Sequence, residues 1–588
     1  MEQEEQIKER IRENRVDLKP VAFWQLNKNP ILLRYMRSRL RWGSIAAALI
    51  ITLVITIFTF AITYTVADKL VSNGDVYDFF RACFLPLFVI QVLIMMFIGT
   101  GSVANGIIQE YDDGMIDYQR LSPMSPMAKI VGYLFGLPIR EWFLFGVTSF
   151  FIGIIVYYGK IPWSSIWRVY SVFFLSIILY HLIALVVVHS MKKKRVAGKG
   201  IQFIVLVLYI VFPLLSQFGL VFFEYLTVRP ILKEHILDYV PEGVGMRRFL
   251  DLDGSSASVP FFDYQFKSWG FSMMLMSSLI ISFLFMLTRK WKDVTSHLMS
   301  KPFALVFFGF FMLFLIGNTL PIAKEGDMSV TRSFRNMGVR AFEAQIANKT
   351  EGTEDYKKAV KNLKEYRNTV NVNSSLDGPI AQTVFGAVCL SFSCMVVYIF
   401  TPQNEKYLLG LRRARNLKKR WIPIHWDESS GLLATLLVAS MMAIALYIFS
   451  TALYMAPMMS VTTQKMLPFL PMVCLYAALV VIVFYLVYEV WENKGLFLLI
   501  LFVWILPLMI ATVVAVRTSN LSSVVWISSI SPLAAYGYGM STVTWLPARE
   551  AFYFSFFLQG AIGVFAGLDL ISKKLKAKKI LSQNIVDQ

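Results

Sequence analysis

Charged residues are scarce in this sequence, and apolar residues are abundant. Asp, Glu, Lys and Arg together make up 16% of the 588 residues, whereas apolar residues make up 56%. A soluble globular chain contains about 25% charged and about 45–50% apolar residues, and a single soluble core stops growing at about 250–300 residues. The composition therefore excludes one large soluble domain and indicates a polytopic membrane protein.

Cysteine-based sites are also excluded. The chain has 4 cysteines, and each of them lies in or beside an apolar stretch: Cys83, Cys389, Cys394 and Cys474. No two of them form a CxxC pair, which rules out a disulfide framework and a cysteine-ligated zinc site. We interpret the thiols as small packing residues.

The sequence contains no nucleotide-binding or hydrolytic motif. Its nearest approach to a P-loop, Gly198-Lys199-Gly200, lacks the leading glycine and the hydroxyl residue. Gly99-Thr100-Gly101 lies inside an apolar run with no strand before it, so we interpret it as a site of close helix packing. HExxH, GxSxG and paired carboxylate motifs are also missing. We expect no catalytic residue, no metal site and no bound cofactor in this chain.

Long apolar runs are the main feature that is present. A helix crosses the hydrocarbon core with about 20 mainly apolar residues. Twelve runs fit, at about Gly43–Val66, Phe84–Ile107, Ala128–Tyr158, Val169–Ser190, Ile201–Phe223, Trp269–Leu287, Phe303–Pro321, Ile380–Phe400, Gly431–Leu453, Leu467–Tyr488, Leu496–Val516 and Phe552–Ile571. We predict an all-α membrane protein with about 12 transmembrane helices. The third run is longer than the membrane requires, so we expect it to be tilted or to project from the bilayer.

The positions of the basic residues predict the topology. The net charge of +19 is concentrated in five clusters, Arg34–Arg41, Lys192–Arg195, Arg289–Lys292, Arg412–Arg420 and Lys573–Lys579. With a cytoplasmic N-terminus, all five lie on the cytoplasmic side, as the positive-inside rule requires. We therefore predict that both termini are cytoplasmic and that anionic lipid headgroups supply the counter-charges. Nucleic-acid binding is the weaker interpretation. The first 42 residues are charged, so we expect no cleavable signal peptide.

Loop lengths divide the spans into two sets of six. We predict a cytoplasmic N-terminal region (1–42), two six-helix units (43–295 and 296–571) and a basic cytoplasmic tail (572–588). Because six is even, both units have the same orientation and form parallel repeats. The second unit carries an external polar insertion, 323–377, in which Glu354–Arg367 is predicted to be a solvated helix. In a competing alignment, Leu411–Trp421 is a second amphipathic helix ahead of a span, and this alternative stays open.

Few ionisable residues interrupt the apolar runs. Arg140 and Glu141 sit about halfway along the third run, where they either pair locally or line a cavity. His181 in the fourth run is interpreted as a packed histidine. An ion-driven carrier usually needs charged groups at the midplane of the membrane, so this class of transporter is disfavoured without being eliminated.

One acidic segment breaks the basic pattern on the predicted cytoplasmic side. Four acids stand there against one base, namely Glu110, Asp112, Asp113, Asp117 and Arg120. Such a segment suggests a protein partner with basic groups. After Gly114, the stretch Met115–Leu121 is predicted to form a short amphipathic turn that ends at Ser122-Pro123. Ser125-Pro126 then starts the next helix. A short helix held between two long spans can transmit a push as rigid-body motion.

The acidic segment resembles the coupling-helix region of permease subunits of ABC-2 type transporters. The matching residues are Glu110, Gly114, Asp117, Ser122-Pro123 and Ser125, whereas Met115 stands where that family usually has threonine. Two further stretches are similar to the family. Arg34, Arg37, Arg39 and Arg41 follow Asn29-Pro30 like its amphipathic helix before the first span, and Ser531, Pro532 and Leu533 resemble its Ser-Pro-Leu element before the last span. The basic stretch Thr401–Ser430 departs from the first-half coupling motif.

The resemblance implies two six-span units around a substrate path, fused here in one chain of the bacterial cytoplasmic membrane. ATP and magnesium would be bound by a separate P-loop ATPase subunit. The residues implied in coupling to that ATPase are Glu110, Asp112, Asp113, Gly114, Asp117, Arg120 and Leu121. Two other classes stay open: a twelve-helix secondary carrier, and a non-transporting membrane scaffold or enzyme with 323–377 as an external domain. The aromatic-rich spans fit an amphiphilic exported substrate, but they equally fit rings that face lipid or pack between helices.

Overall fold

The computed structural model of the chain is built almost entirely from helices. It describes residues 22–70, 76–190, 220–239, 258–293, 296–325, 382–402, 404–419, 426–455, 467–517, 521–539 and 546–583, with isolated residues between 201 and 216, residues 360–361 and residues 422–424. The predicted solvated helix Glu354–Arg367 and most of the insertion around it lie outside this part of the chain.

The first half of the described chain contains ten helices. In order, they are α1 (Pro30–Arg39), α2 (Trp42–Leu70), α3 (Val76–Asp112), α4 (Met115–Leu121), α5 (Pro126–Gly136), α6 (Ile139–Tyr158), α7 (Trp163–Ser190), α8 (Arg229–Glu234), α9 (Ile236–Tyr239) and α10 (Ser268–Lys292). Within α3, Leu93–Gly99 forms a wider π-helical stretch. Large apolar side chains of α2, among them Ile50, Val54 and Phe58, are exposed, as expected for a helix whose solvent is lipid.

Nine further helices follow in the described part of the second half. They are α11 (Lys301–Glu325), α12 (Gln382–Phe400), α13 (Asn404–Asn416), α14 (Leu432–Tyr454), α15 (Leu470–Leu498), α16 (Leu506–Arg517), α17 (Leu521–Ser528), α18 (Pro532–Gly539) and α19 (Leu546–Gln583). The π-helical stretch Leu499–Ile505 joins α15 to α16. A two-stranded hairpin, β1 (Ser258–Phe261) and β2 (Tyr264–Lys267), is a small exception to the predicted all-α class.

Ten segments of the described chain are long and apolar enough to cross a membrane. This confirms the prediction of a polytopic, helical membrane protein. The predicted tenth and eleventh spans both lie within Leu467–Arg517 and are separated by the non-helical residue Glu492. The chain folds back at this residue, because the ring centroids of Phe484 and Trp504 lie 6.4 Å apart. The predicted fifth span, Ile201–Phe223, lies largely outside the described residues.

The third apolar run is not the single over-long helix that its length predicts. It consists of two helices, because α5 ends at Gly136 and α6 begins at Ile139. Pro138 at the break has no N–H to continue the helical hydrogen bonds. The guanidinium Nη1 of Arg39 donates to the carbonyl oxygen of Leu137 at 2.6 Å, which satisfies one acceptor there. Only α6 qualifies as a span, and α5 precedes it.

Exposed aromatic residues mark one end of α6 and α7. Tyr157 and Tyr158 end α6, Trp163 and Trp167 begin α7, and each of these side chains is more than half exposed. Tyrosine and tryptophan favour the membrane–water interface. Since the 20 residues of α6 extend over about 30 Å, the thickness of the hydrocarbon core, α4 and α5 lie toward the opposite interface.

The contacts divide the chain into two compact units. The first comprises Met1–Val211, Tyr225–Ser258 and Lys267–Leu298, and the second comprises Phe212–Glu224, Val259–Phe266 and Met299–Gln588. In the first unit, α7 packs against both α3 and α10, and α1 packs against α5. In the second unit, α14 packs against α11 and α15, and α15 packs against α19.

Candidate functional site

The amphipathic helix α1 is fixed at its first residue by Asn29. The Asn29 side-chain oxygen accepts hydrogen bonds from the backbone N–H groups of Ile31, at 3.1 Å, and Leu32, at 3.3 Å. These bonds satisfy donors that the first turn of any helix leaves free. The Asn29 side-chain nitrogen donates to the carbonyl oxygen of Ala128 at 2.7 Å. One buried amide therefore both caps α1 and ties it to α5.

Two glycines of α5 allow α1 to approach closely. A Cβ atom at Gly132 would lie 2.8 Å from the Asn29 side-chain oxygen, and one at Gly136 would lie 3.1 Å from a ring carbon of Tyr35. Any side chain at Gly132 would therefore displace the Asn29 amide. The contact between α1 and α5 depends on these two residues having no side chain.

Glu110, in the last turn of α3, lies at the centre of this arrangement. Its side chain is buried, and one carboxylate oxygen accepts a hydrogen bond from the Tyr35 hydroxyl at 2.5 Å. The other oxygen accepts one from the Tyr133 hydroxyl at 2.8 Å, and the Arg34 guanidinium forms an ion pair with the carboxylate. A buried charge is tolerated when it is paired and hydrogen-bonded in this way. Burial raises the pKa of Tyr35, which keeps its hydroxyl a donor.

The structure therefore corrects the interpretation of Glu110 as one of four acids on a partner-facing surface. Its charge is used inside the protein, where Arg34 and two tyrosines neutralise and solvate it. The other three acids, Asp112, Asp113 and Asp117, are exposed. Of the four acids, these three reach the surface, and Asp117 is paired there with Arg120 at 2.7 Å.

Gly114, whose backbone has a left-handed conformation, separates α3 from α4. Its φ of 68° is favourable for glycine and costly for other residues. The helix that follows buries Ile116 and exposes two large side chains, Tyr118 at 71% and Leu121 at 85%. Extended backbone at Ser122 ends α4. The Ser125 hydroxyl then accepts a bond from the Ala128 N–H at 3.1 Å and begins α5. Tyr118 and Leu121 thus project from a short helix that has exposed acids, Asp113 and Asp117, beside them.

Arg120 joins α4 to the neighbouring helices α5 and α10. Its guanidinium donates to Asp117 at 2.7 Å and lies 5.9 Å from the ring centre of Trp291 on α10. The Lys129 ammonium donates to the Arg120 carbonyl oxygen at 2.9 Å. Burial lowers the pKa of Lys129. The ring of Trp291 also stacks on Tyr133 at 5.7 Å, so α4, α5 and α10 meet at one aromatic residue.

The remaining arginines of the pre-span stretch have different environments. Arg39 binds the break between α5 and α6, as described above, and Arg34 faces Glu110. Arg37 and Arg41 are exposed. The sequence singled out Asn29-Pro30 and the arginines of α1 but missed Tyr35, Tyr133 and Trp291. Helical spacing offers a signal for one of them, because Ile31, Tyr35 and Arg39 recur every fourth residue along one side of α1.

The polar residues predicted within the apolar runs pair locally. Glu141 is fully buried, and one of its oxygens accepts from the Ser102 hydroxyl at 2.7 Å and from Arg140 at 3.0 Å. His181 is buried with a ring nitrogen 3.1 Å from the Met95 carbonyl oxygen. Both arrangements are ordinary helix-packing contacts.

The Ser-Pro-Leu element begins α18. Ser531 donates its hydroxyl proton to the Trp504 carbonyl oxygen at 2.8 Å, Pro532 occupies the first helical position, and Leu533 is half-buried. The element is thus fastened to the π-helical stretch that joins α15 to α16. This geometry gives it a structural anchor.

A second buried carboxylate, Glu489 near the end of α15, was not singled out from the sequence. One of its oxygens lies 2.8 Å from the Lys574 ammonium, which is 5.1 Å from the ring centre of Tyr407 on α13. The adjacent Lys573 donates to the Val490 carbonyl oxygen at 2.9 Å. Here α19 and the amphipathic α13 meet around a buried acid, much as α1 and α5 do around Glu110.

Within the described residues, no group of three or more His, Cys, Asp or Glu side chains is placed to hold a metal ion. Comparison of the chain with protein-family models, with curated proteins and with solved structures finds no match to any of them.

Proposed function

We propose that this chain is the membrane-spanning permease of an ATP-driven exporter of the ABC-2 type, and that a separate P-loop ATPase moves it through α4. The observation that carries the proposal is the exposure of Tyr118 and Leu121 on a short helix whose other side is anchored by Ile116 and Arg120. Tyr118 and Leu121 are three residues apart and so lie side by side on the helix, and a contiguous apolar patch with a polar margin is typical of a protein-binding surface.

The chemistry of this surface specifies the partner's binding site. Leu121 and Tyr118 are suited to fill an apolar groove, while Asp113 and Asp117 at the margin favour basic residues on its rim. Such acids act mainly on specificity and association rate, whereas the buried apolar side chains supply most of the affinity.

The packing behind α4 supports transmission of force into the membrane. The helix is continuous in sequence with α3 and α5, and α1 is clamped to both of them through Glu110 and Asn29. A push on α4 would therefore move these helices as a block rather than bend one of them. The ATPase must bind the inward and outward states of the permease with different affinities for this coupling to operate.

The proposal includes twelve spans arranged as two parallel sets of six in the bacterial cytoplasmic membrane, with both termini cytoplasmic. It also assigns the second half a weaker role in coupling. The second-half counterpart of the coupling segment, Thr401–Ser430, contains α13, whose exposed Arg412 and Arg413 are basic where the first-half segment is acidic. Within the described residues, the two halves thus offer the ATPase different surfaces.

The test is copurification followed by reconstitution. We expect a P-loop ATPase to copurify in mild detergent and its ATP hydrolysis to be stimulated by the permease. The triple variant Asp112→Lys, Asp113→Lys, Asp117→Lys should abolish the stimulation, whereas Asp263→Lys, at a 91% exposed side chain elsewhere, should not. Transport that persists without ATP while ion gradients are kept, or the absence of any ATPase from the preparation, would contradict the proposal.

A further inference from the structure

A large groove lies between the end of α15 and α19 in the second unit. Its volume is about 1310 Å³, which exceeds the range of about 300–1,000 Å³ usual for small-molecule sites. The walls are mainly apolar, with Leu498, Phe502, Val503, Ile562 and Phe565 among the lining residues. Phe502 and Phe565 are more than half exposed, so the groove opens to the side rather than enclosing a cavity.

The groove is opened by the non-helical residue Glu492. Its φ of 52° and ψ of −147° interrupt the helical hydrogen bonds within α15, and the chain folds back at this point, since the Phe484 and Trp504 rings lie 6.4 Å apart. Lys573 of α19 donates to the carbonyl oxygen of Val490 and compensates for a bond lost at this interruption. Gly495 then lets the backbone pass the Trp491 side chain, since a Cβ there would lie 2.3 Å from the Trp491 Cβ. Contacts from α19 and from Gly495 therefore stabilise the interruption.

Three charged side chains, Glu492, Lys494 and Lys573, line the same groove. Lys573 is already shared between the Val490 carbonyl and Asp569, whose carboxylate lies 3.3 Å away. Within the described part of the chain, neither the Glu492 carboxylate nor the Lys494 ammonium has a hydrogen-bond or ion-pair partner. An acid and a base that stand two residues apart without pairing leave one site for a cation and one for an anion.

We propose that this groove binds a phospholipid whose headgroup carries both a phosphate diester and a primary ammonium, as phosphatidylethanolamine does. Lys494 and Lys573 would hold the phosphate oxygens, and the Glu492 carboxylate would accept hydrogen bonds from the ammonium. An acyl chain would lie along Leu498, Phe502 and Phe565. This assignment does not depend on the proposed transport function.

Charge and shape together select this occupant. Lys573 is balanced by its partner Asp569, and the remaining charges of the groove, Glu492 and Lys494, sum to zero, which matches a zwitterionic headgroup better than an anionic one. A free phosphate ion would leave the apolar walls uncovered, and a quaternary choline headgroup could not donate hydrogen bonds to Glu492. The lipid would brace the interrupted helix from the side.

The test measures lipid binding to the purified full-length chain. After delipidation, we expect saturable binding of phosphatidylethanolamine from mixed micelles, read by native mass spectrometry. Lys494→Glu should weaken it about tenfold, a change that corresponds to one charge-assisted contact. Glu492→Gln should remove the preference for phosphatidylethanolamine over phosphatidylglycerol. The control Lys576→Glu reverses a charge on α19 outside the groove and should bind normally.

A steric variant separates lipid binding from folding. Ala561 is exposed and lines the groove, so Ala561→Trp should block lipid binding with little effect on stability. Leu568→Trp, at an exposed position of α19 outside the groove, should retain it. The proposal is overturned if the delipidated wild type binds no phospholipid, if Ala561→Trp binds as well as wild type, if phosphatidylglycerol or phosphatidylcholine binds equally well, or if millimolar inorganic phosphate displaces the lipid.

Discussion

The Tyr35 hydroxyl and the Glu110 carboxylate are joined by a 2.5 Å hydrogen bond that spans 75 residues of sequence. It connects a helix outside the membrane to the last turn of a membrane span. Because Glu110 also accepts from Tyr133 on α5, three separate helices share one carboxylate. Loss of that single group should loosen the whole arrangement.

Replacement of Glu110 by alanine is therefore expected to be severe. It leaves two buried hydroxyl groups without their acceptor, each at a cost of about 1–3 kcal/mol, and it removes the ion-pair partner of Arg34, whose side chain is 36% exposed and so contributes less. We expect the temperature of half-unfolding in detergent to fall by several degrees or more. Asp113→Ala, at an exposed acid in the same segment, should leave it unchanged, and equal losses in the two variants would argue against the buried role.

Gly132→Ala should separate α1 from α5. The new methyl group would lie 2.8 Å from the Asn29 side-chain oxygen, so the Asn29 amide must move and the cap of α1 is weakened. Loss of such a cap costs about 1 kcal/mol, with further loss from the broken bond to Ala128. The matched control is Gly146→Ala in α6, where no atom lies within 4 Å of the added Cβ. A thermal melt of both variants measures the difference, and equal melting temperatures would contradict this account.

Apolar run length predicted the class of the protein because the bilayer sets the length of a spanning helix. It did not predict the break at Pro138, since both halves of that run remain apolar and only the proline marks their junction. The acidic segment was found from its local charge, but the burial of Glu110 was not predicted. Burial of that acid depends on Arg34 and Tyr35, which are far away in sequence, and no local pattern reports such a pairing.

Glu489 and Lys574 are expected to form a tertiary ion pair that can be reversed. Lys574→Glu alone would place a second carboxylate beside the buried Glu489 and leave that acid without its cation, which should destabilise the protein. The double variant Glu489→Lys, Lys574→Glu should recover part of the loss, because the attraction is restored in the opposite sense. Thermal melts of the two single variants and the double variant give the coupling energy. Strict additivity would show that the two side chains do not interact.

Leu121→Ala together with Tyr118→Ala should remove the docking surface without unfolding the protein. Both side chains are more than 70% exposed, so their truncation should change the melting temperature little. If a P-loop ATPase binds there, its affinity should fall by about tenfold or more, as for anchoring residues at interfaces. Ile116→Ala is the contrasting variant, because it removes a buried side chain and should lower stability. Unchanged ATPase binding in the double variant would place the docking surface elsewhere.

Cysteine labelling can determine on which side of the membrane α4 lies. All four native thiols are buried, so a membrane-impermeant maleimide should react weakly with the wild type in intact cells. Leu121→Cys is expected to stay unlabelled until the membrane is opened, whereas Trp163→Cys, at the aromatic end of α7, should label from outside. The opposite pattern would invert the topology and remove the basis for coupling to a cytoplasmic ATPase.

Gly114 has open space around its Cα, yet its backbone has the left-handed φ of 68°. The backbone dihedral angle, and not the space for a side chain, therefore restricts this position to glycine. The direction in which Tyr118 and Leu121 point depends on this torsion as well as on the packing of Ile116. A methyl group added at Gly114 would set the backbone preference against that packing, without touching the bonds that Glu110 makes to Tyr35 and Tyr133.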